Sequence, residues 1–227
     1  MIPVVADADT LFGATTRGLL IHLDCQGLIR LHWSPLILDE LSRALVDTGR
    51  KPDAESARRH EHLLRAALPQ AEIPTQQVQA RFASVAPAMR SAKDTHVAAC
   101  AAAILADRFY ADTQVVSLVT KNVRDFGVRK LAALGIEVQR PDVFLLQQFK
   151  QGPAAVAAAF AALRSSLRSA PPPEQLLDRL AADGHTLTAA ALHDAWQQSF
   201  VRLWQQVMRC SYTRRASRGA RSPPCGP

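Results

Sequence analysis

Short apolar runs alternate with amphipathic stretches along the first two thirds of the chain. Runs that are apolar throughout and rich in branched residues indicate strands buried on both faces of a sheet. The predicted strands are Ile2–Ala6, Leu28–Trp33, Val115–Val119 and Ile136–Val138. The predicted helices run from Thr15 or Thr16 to Gly27, from Pro35 through Leu45, over 50–68, near 76–85, from Asp94 to about Arg108, over Lys130–Leu134 and over Pro141–Phe149. This alternation implies a parallel sheet with helices on both faces, a three-layer α/β/α architecture.

The pattern changes after Gly152 and Pro153, beyond which no strand is expected. Helices are predicted over Ala154–Leu167, Glu174–Ala182 and Thr188–Val207. We therefore expect an α/β domain over residues 1–150, an all-α extension over 151–208 and a basic, disordered tail over 209–227. The apolar residues of the extension are expected to pack against the first domain: Leu176, Leu177, Leu180, Trp196, Phe200, Leu203 and Trp204.

Composition and charge narrow the class of protein. Hydrophobic residues make up 48% and charged residues 21% of the 227 residues, which is typical of a folded globular protein. No apolar run approaches the roughly 20 residues that span a bilayer, and no secretory signal is visible, so we expect a cytoplasmic protein without membrane association. Five Arg residues and no acid lie in 209–227, so the net charge of +7 leaves only +2 on residues 1–208. The net charge of residues 1–208 therefore does not indicate RNA binding.

Asp7 follows the first predicted strand directly. Ligands of open parallel sheets bind beyond the carboxyl ends of the strands, so a carboxylate at this position faces the binding crevice. The alternative is that Asp7 only caps the next helix. That helix is expected to begin later, near Thr15, and Asp9 or Thr10 are the more suitable capping residues.

Three further acidic residues have ordinary structural explanations when each is taken alone. Asp94 precedes an apolar helix, which it could cap as easily as it could face a metal ion. Glu40 lies at the edge of an apolar helical stripe, where it could pair with Arg43 on the surface. Asp125 follows the strand at 115–119 and could be a turn residue.

The four acidic residues support a functional site more strongly as a set than each does alone. Asp7 and Asp125 both follow strand ends, so both can reach the same edge of the sheet. Clustered carboxylates repel each other unless a proton or a cation neutralises them. Ligand sets made only of oxygen suit Mg²⁺ or Mn²⁺ rather than Zn²⁺. Such ions activate water and stabilise displacement at a phosphodiester.

The stretches that carry these acids resemble the four motifs of the PIN domain family in order and position. They are Val4-Val5-Ala6-Asp7-Ala8-Asp9-Thr10-Leu11, Ser34-Pro35 with Glu40-Leu41, Asp94-Thr95-His96-Val97-Ala98-Ala99-Cys100 and Val119-Thr120-Lys121-Asn122-Val123-Arg124-Asp125-Phe126. The resemblance covers about residues 2–148, and the last motif is its most specific part. In bacteria this domain is typical of VapC-type toxin ribonucleases, among which a variant with a helical C-terminal extension is most similar to this chain.

The resemblance implies a Mg²⁺-dependent endoribonuclease, with Mn²⁺ as an alternative ion. Asp7 and Asp94 would be the principal metal ligands, and Glu40 and Asp125 would complete the catalytic site directly or through water. It also implies an RNA substrate, a cognate antitoxin protein as partner and a homodimer. Two polar residues match the positions whose side chains hold the acidic residues in place without binding the metal themselves: Thr120 and Asn122.

Two positions depart from the family pattern. Asp9 stands where the family usually has Asn, Ser or Thr, and Ser91 stands where related members often carry another Asp. Neither departure removes one of the four acids, so activity is expected. Because the site is acidic, basic residues near the motifs are candidates to hold RNA: Arg17, Arg43, Lys93, Lys121 and Arg124.

Two other functions stay open at the level of the sequence. Asp7-Ala8-Asp9-Thr10 after an apolar strand also suits the nucleophile motif of haloacid dehalogenase-like phosphatases, with Asp7 as the nucleophile. That class requires a further strand that ends in an acidic pair, and none of the acids after residue 120 forms such a pair. The helical extension and basic tail also allow a non-catalytic RNA- or protein-binding module in which the acids are structural.

Overall fold

The protein is built on one sheet of four parallel strands, shown by a computed structural model that describes residues 1–107 and 109–197. The strands are β1 (Ile2–Ala6), β2 (Ile29–His32), β3 (Val116–Val119) and β4 (Ile136–Gln139), in the spatial order β2-β1-β3-β4. All three neighbouring pairs are parallel. The predicted strands are thus confirmed to within one or two residues. Their carboxyl ends share one edge of the sheet, with β1 and β3 side by side at its centre.

Helices flank this sheet, which confirms the α/β fold with a helical C-terminal region. In chain order they are α1 (Ala8–Phe12), α2 (Ala14–Cys25), α3 (Pro35–Asp47), α4 (Ala54–Ala67), α5 (Thr75–Gln79), α6 (Phe82–Val85), α7 (Thr95–Ala106), α8 (Val128–Ala132), α9 (Pro141–Gln151), α10 (Pro153–Ser166) and α11 (Pro173–Ala182). Residues 186–197 are also helical. The most deeply placed helix is α7, whose Ala-rich sequence lets it lie close against the sheet; among its buried residues are Val97, Ala101 and Ile104.

The start of the first helix differs from the prediction. Helix α1 begins immediately after β1, at Ala8, and Asp7 is its N-cap, so the expectation that the chain turns helical only near Thr15 was wrong. The Asp7 carboxylate accepts a hydrogen bond from the Thr10 backbone N–H at 2.7 Å, and the Thr10 hydroxyl donates to the Val119 carbonyl at 3.1 Å. This second bond ties the short helix to β3, a contact that the local sequence pattern does not encode.

The C-terminal helices pack on the α/β domain, and their buried side chains continue the same hydrophobic core. Helix α10 lies against α2, where a Cβ atom added at Gly18 would come within 2.6 Å of a Leu163 methyl carbon. Phe160 and Leu176 are among the extension residues in this core. The expected packing is therefore confirmed for Leu176, Leu177 and Leu180, whereas Trp196 is half-buried and does not belong to this core. Phe200, Leu203, Trp204 and the basic tail at 209–227 lie outside the described residues.

Two aspartates tie the extension to the α/β domain by capping helices from a distance. Asp183, after α11, accepts hydrogen bonds from the backbone N–H and the hydroxyl of Thr16 in the first turn of α2, at 3.3 and 3.1 Å. Asp142, in α9, accepts from the backbone N–H groups of Leu187 and Thr188, at 3.2 and 3.0 Å, where the last described helix begins. These bonds satisfy helix N–H groups that have no partner in their own helices. None of the helices that the structure describes is long and apolar enough to cross a membrane.

Candidate acidic site at the carboxyl edge of the sheet

Asp7 lies at the centre of the carboxyl edge, because β1 and β3 are neighbours. Its backbone N–H donates to the Val119 carbonyl at 3.2 Å, which holds the residue against the end of β3. The Asp7 side chain is only 8% exposed, and it is hydrogen-bonded to the fully buried Thr120 as well as to Thr10. Thr120 accepts from the Asn122 backbone N–H at 2.9 Å, so its hydroxyl hydrogen is free to donate to Asp7.

Burial is the main influence on the ionisation of Asp7. It raises the pKa of the carboxyl from 3.8 to about 6, despite the hydrogen bonds from Thr120 and Thr10, which favour the ionised form. The negative charge of Asp9 adds to the rise. A carboxylate that is costly to ionise at neutral pH is one that a bound cation would stabilise.

Asp125 is brought to the site by a short 3₁₀ turn, Val123–Asp125, that follows β3. Its carbonyl accepts the backbone N–H groups of Arg90 and Ser91, at 2.8 and 3.1 Å. These bonds fasten the segment before α7 to the loop after β3. They place Asp125 near Asp94, although the two residues are 31 positions apart in the sequence.

Asp94 stands at the N-cap position of α7 without capping it, since its side chain makes no capping hydrogen bond. The alternative that Asp94 serves only to cap α7 is therefore not supported by the structure. Partial burial raises the pKa of Asp94, a hydrogen bond from Ser91 opposes the rise, and the negative charges of Asp125 and Glu40 add to it. Two of the predicted acids, Glu40 and Asp125, thus act electrostatically on a third, Asp94.

Glu40 is paired with a residue that the sequence analysis did not select. Its carboxylate lies 3.2 Å from Nε2 of His96, and this contact is the main reason why the pKa of Glu40 is lowered. The expected partner Arg43 instead donates through Nε to the Asp39 carbonyl at 3.3 Å. His96 could have been noticed only from its place two residues after Asp94, and nothing in the sequence links it to Glu40.

The four acids are not arranged as a complete set of metal ligands. Among the described residues, no group of three or more His, Cys, Asp or Glu side chains is arranged to hold a metal ion. Glu40 and Asp125 both raise the pKa of Asp94, whereas in the part of the chain that the structure describes Asp9 is the only charged neighbour that shifts the pKa of Asp7. The donor chemistry fits a hard divalent cation, because all four are carboxylates and two of them have raised pKa values.

The five basic residues selected for RNA binding occupy different surroundings. Arg17 is partly buried and donates to the Leu11 and Phe12 carbonyls at the end of α1. Arg43 and Lys93 line a surface hollow of about 570 Å³ together with Glu40 and His96. The side chains of Lys121 and Arg124 are exposed on the loop after β3. Their contact with RNA stays a prediction.

Comparison with known families gives one match. Residues 141–194 match the family model described as the VapC50 C-terminal domain, which covers α9, α10, α11 and most of the last described helix. The comparison with curated proteins and the comparison with solved structures each gave no significant match. The C-terminal part of the chain is therefore similar to that of a VapC-family toxin, which agrees with the resemblance found in the first 148 residues.

Proposed function

We propose that this protein is a metal-dependent endoribonuclease and acts as the toxin of a toxin–antitoxin pair. Two independent parts of the chain support the proposal. The carboxyl edge of the sheet carries Asp7, and the negative charges of Glu40 and Asp125 act on Asp94. Residues 141–194 are similar to the C-terminal domain of a VapC-type protein.

In this proposal Asp7 and Asp94 hold Mg²⁺ or Mn²⁺, with Glu40 and Asp125 completing the site directly or through water. When bound, the cation supplies an activated water and neutralises charge on the phosphodiester. Thr120 orients the Asp7 carboxylate through its hydroxyl, and Ser91 does the same for Asp94. His96 lies 3.2 Å from the Glu40 carboxylate and restricts the position of that side chain.

The surroundings of Asp7 favour a metal ligand over a phosphatase nucleophile. Asp7 is almost fully buried, and its carboxylate already accepts hydrogen bonds from Thr10 and Thr120. A nucleophilic carboxylate has to accommodate a whole phosphoryl group at its free oxygen, whereas a metal ligand has to admit only one small cation there. The family match of the C-terminal helices adds support for a toxin over a phosphatase.

The partners that follow from this function are RNA as substrate and an antitoxin protein that blocks the site. The antitoxin is supported by the similarity of residues 141–194 to a VapC-type domain, since such toxins act in pairs with antitoxins. A homodimer is part of the same proposal. By the family resemblance, cleavage leaves 5′-phosphate and 3′-hydroxyl ends.

The direct test is cleavage of RNA by the purified full chain with Mg²⁺, with Mn²⁺ and with EDTA. We expect cleavage with either ion and none in EDTA. Asp94→Asn should reduce the rate by roughly a hundredfold or more, because it removes the charge of a metal ligand while keeping the side-chain shape. Mapping the product ends in total RNA identifies the cleaved positions.

Two control variants remove acidic charge outside the site. Asp178→Asn alters an exposed residue of α11, and Asp47→Asn alters the end of α3. Both should cleave RNA at the wild-type rate. Cleavage that persists in EDTA, or that falls equally in Asp178→Asn and Asp94→Asn, would contradict the proposed site. Hydrolysis of p-nitrophenyl phosphate without RNA cleavage would favour the phosphatase.

A further inference from the structure

Basic side chains converge at the far end of α1, outside the acidic site. Arg17 and Arg50 both donate to the Phe12 carbonyl, from 3.4 and 3.3 Å, and Arg17 also donates to the Leu11 carbonyl. The Arg50 guanidinium lies over the Phe12 ring, 4.1 Å from its centroid. Lys51 follows in the chain. Of this group, only Arg17 is among the residues that the sequence predicts to bind RNA.

The groups that accept hydrogen bonds from the two guanidinium groups, and the ring that Arg50 contacts, are neutral. Among the described residues, neither Arg17, Arg50 nor Lys51 forms an ion pair with a carboxylate. Carbonyl oxygens and an aromatic face orient the two guanidinium groups without cancelling their charge. Elsewhere on the same surface, Arg59 and Arg65 in α4 do pair with acidic residues.

The charges are close enough to oppose one another. Desolvation and, to a lesser extent, the positive charge of Arg50 lower the pKa of Arg17 to about 10, and Asp183 provides a weaker opposing influence. His60, on α4, has a pKa lowered to about 4 by burial and by the charges of Arg17 and Lys51. Its Nε2 atom is buried and has no hydrogen-bond partner among the described residues. A cluster of mutually repelling cations is relieved when it binds an anion.

We propose that Arg17, Arg50 and Lys51 form a phosphate-binding track that holds the RNA strand beside the acidic site. This inference rests on the proposed nuclease function. Helix α1 runs from the Asp7 cap to Phe12, whose carbonyl and ring hold the two guanidinium groups, and the axial length from Asp7 to Phe12 is about 8 Å at 1.5 Å per residue. A strand bound here continues toward Asp7 within the length of a short oligonucleotide.

The chemistry of the track suits a phosphodiester backbone better than bases. The Arg50 guanidinium presents a planar set of donors to phosphate oxygens, and Phe12 restricts its orientation. The cluster therefore contributes to the affinity for RNA and to the position of the strand on the protein, but it does not recognise the base sequence of the RNA. It also compensates for the repulsion between RNA and the carboxylates of the cleavage site.

The test measures binding of a fluorescein-labelled single-stranded oligoribonucleotide of about twelve nucleotides to the full chain in EDTA, where no cleavage is expected. The double variant Arg50→Gln/Lys51→Gln removes two exposed or half-exposed charges and leaves Arg17 in place. We expect the affinity to fall about tenfold or more, and the slope of log K against log salt concentration to shrink by about 1.4, or 0.7 per lost contact.

Arg58→Gln/Arg59→Gln is the matched control, because it removes the same net charge from exposed positions of α4. It should change the affinity by less than about threefold. Arg50→Lys keeps the charge and should recover part of the lost affinity, and thermal unfolding of each variant verifies that it is folded.

Equal losses in the two double variants, or unchanged binding in Arg50→Gln/Lys51→Gln, would overturn the track. Absence of RNA binding by the wild-type chain would overturn it as well. Because the readout needs no cleavage, failure of the track leaves metal-dependent RNA cleavage untouched, and failure of the cleavage test leaves this measurement valid.

Discussion

Asp7 shows how one side chain serves local structure and candidate chemistry together. Its carboxylate caps α1 through the Thr10 N–H and is supported by Thr120, yet burial makes its ionised form costly. Sequence reasoning treated the cap and the metal ligand as alternatives. The structure shows the cap, and a metal ligand can share the residue because a carboxylate has two oxygens.

The raised pKa of Asp7 predicts a gain in stability when the charge is removed. The folded protein holds this proton more tightly than the unfolded chain, so stability is lost as the pH rises from about 4 to about 6. Asp7→Asn should therefore exceed wild type in free energy of unfolding by about 1–3 kcal/mol at pH 7.5, with no such gain below pH 4. Urea unfolding in EDTA at several pH values measures the difference.

Asp39→Asn is the control for that measurement, because Asp39 is exposed and lies outside the cap. Its stability should follow wild type at every pH. A gain in Asp7→Asn that is the same at pH 4 and pH 7.5 would show that ionisation of Asp7 is not the cause. Adding Mn²⁺ should narrow the gap at pH 7.5, since a cation bound only by the folded wild type stabilises it.

The helices illustrate how distant residues complete an element. Gly13 precedes α2 and offers no side-chain cap, and Asp183 supplies the missing acceptor from 167 residues beyond Thr16. Asp142 does the same for the helix that begins near Leu187. The sequence pattern located α2 from about Thr15 or Thr16 to Gly27 but did not indicate Asp183 as its cap, because capping rules consider only neighbouring residues.

Removing the Asp183 carboxylate tests this remote cap. Asp183→Ala should lower the free energy of unfolding by about 1–2 kcal/mol, because it leaves the Thr16 backbone N–H without its acceptor, while the Thr16 hydroxyl keeps its hydrogen bond with His185 at 2.6 Å. Asp178→Ala is the matched control, as Asp178 is exposed on α11. Urea unfolding compares the two variants, and equal losses would show that Asp183 does not stabilise α2.

At the scale of the whole molecule, the extension shares one hydrophobic core with the α/β domain. Val156, Phe160 and Leu163 of α10 are buried beside α2, and Leu176 and Leu180 of α11 belong to the same core. Segments that share a core unfold together, so we expect a single cooperative transition rather than two.

Truncation after Gln151 tests this cooperativity. The shortened chain loses α10 and α11 and exposes the apolar side chains of α2 that they cover. We expect it to aggregate or to lose its cooperative thermal transition, because exposed apolar surface of this kind destabilises a small domain. Circular dichroism and light scattering measure the outcome. A truncated chain that unfolds cooperatively near the wild-type temperature would show that the two parts are independent.

The sequence by itself determined the alternation of strands and helices and the residues at their ends, because hydrophobic periodicity and turn residues act over a few positions. It therefore located the sheet to within one or two residues and placed Asp7 and Asp125 at strand ends. The resemblance added the grouping of the four acids, which stays a prediction for metal binding.

Only the tertiary structure decided which side chains meet. The pairing of Glu40 with His96, the proximity of Asp94 to Asp125 and the capping of α2 by Asp183 join residues far apart in the chain. No local pattern carries that information, since each contact depends on strand order and helix packing. The same holds for Arg17 and Arg50, which meet over Phe12 because the chain between them folds back on itself.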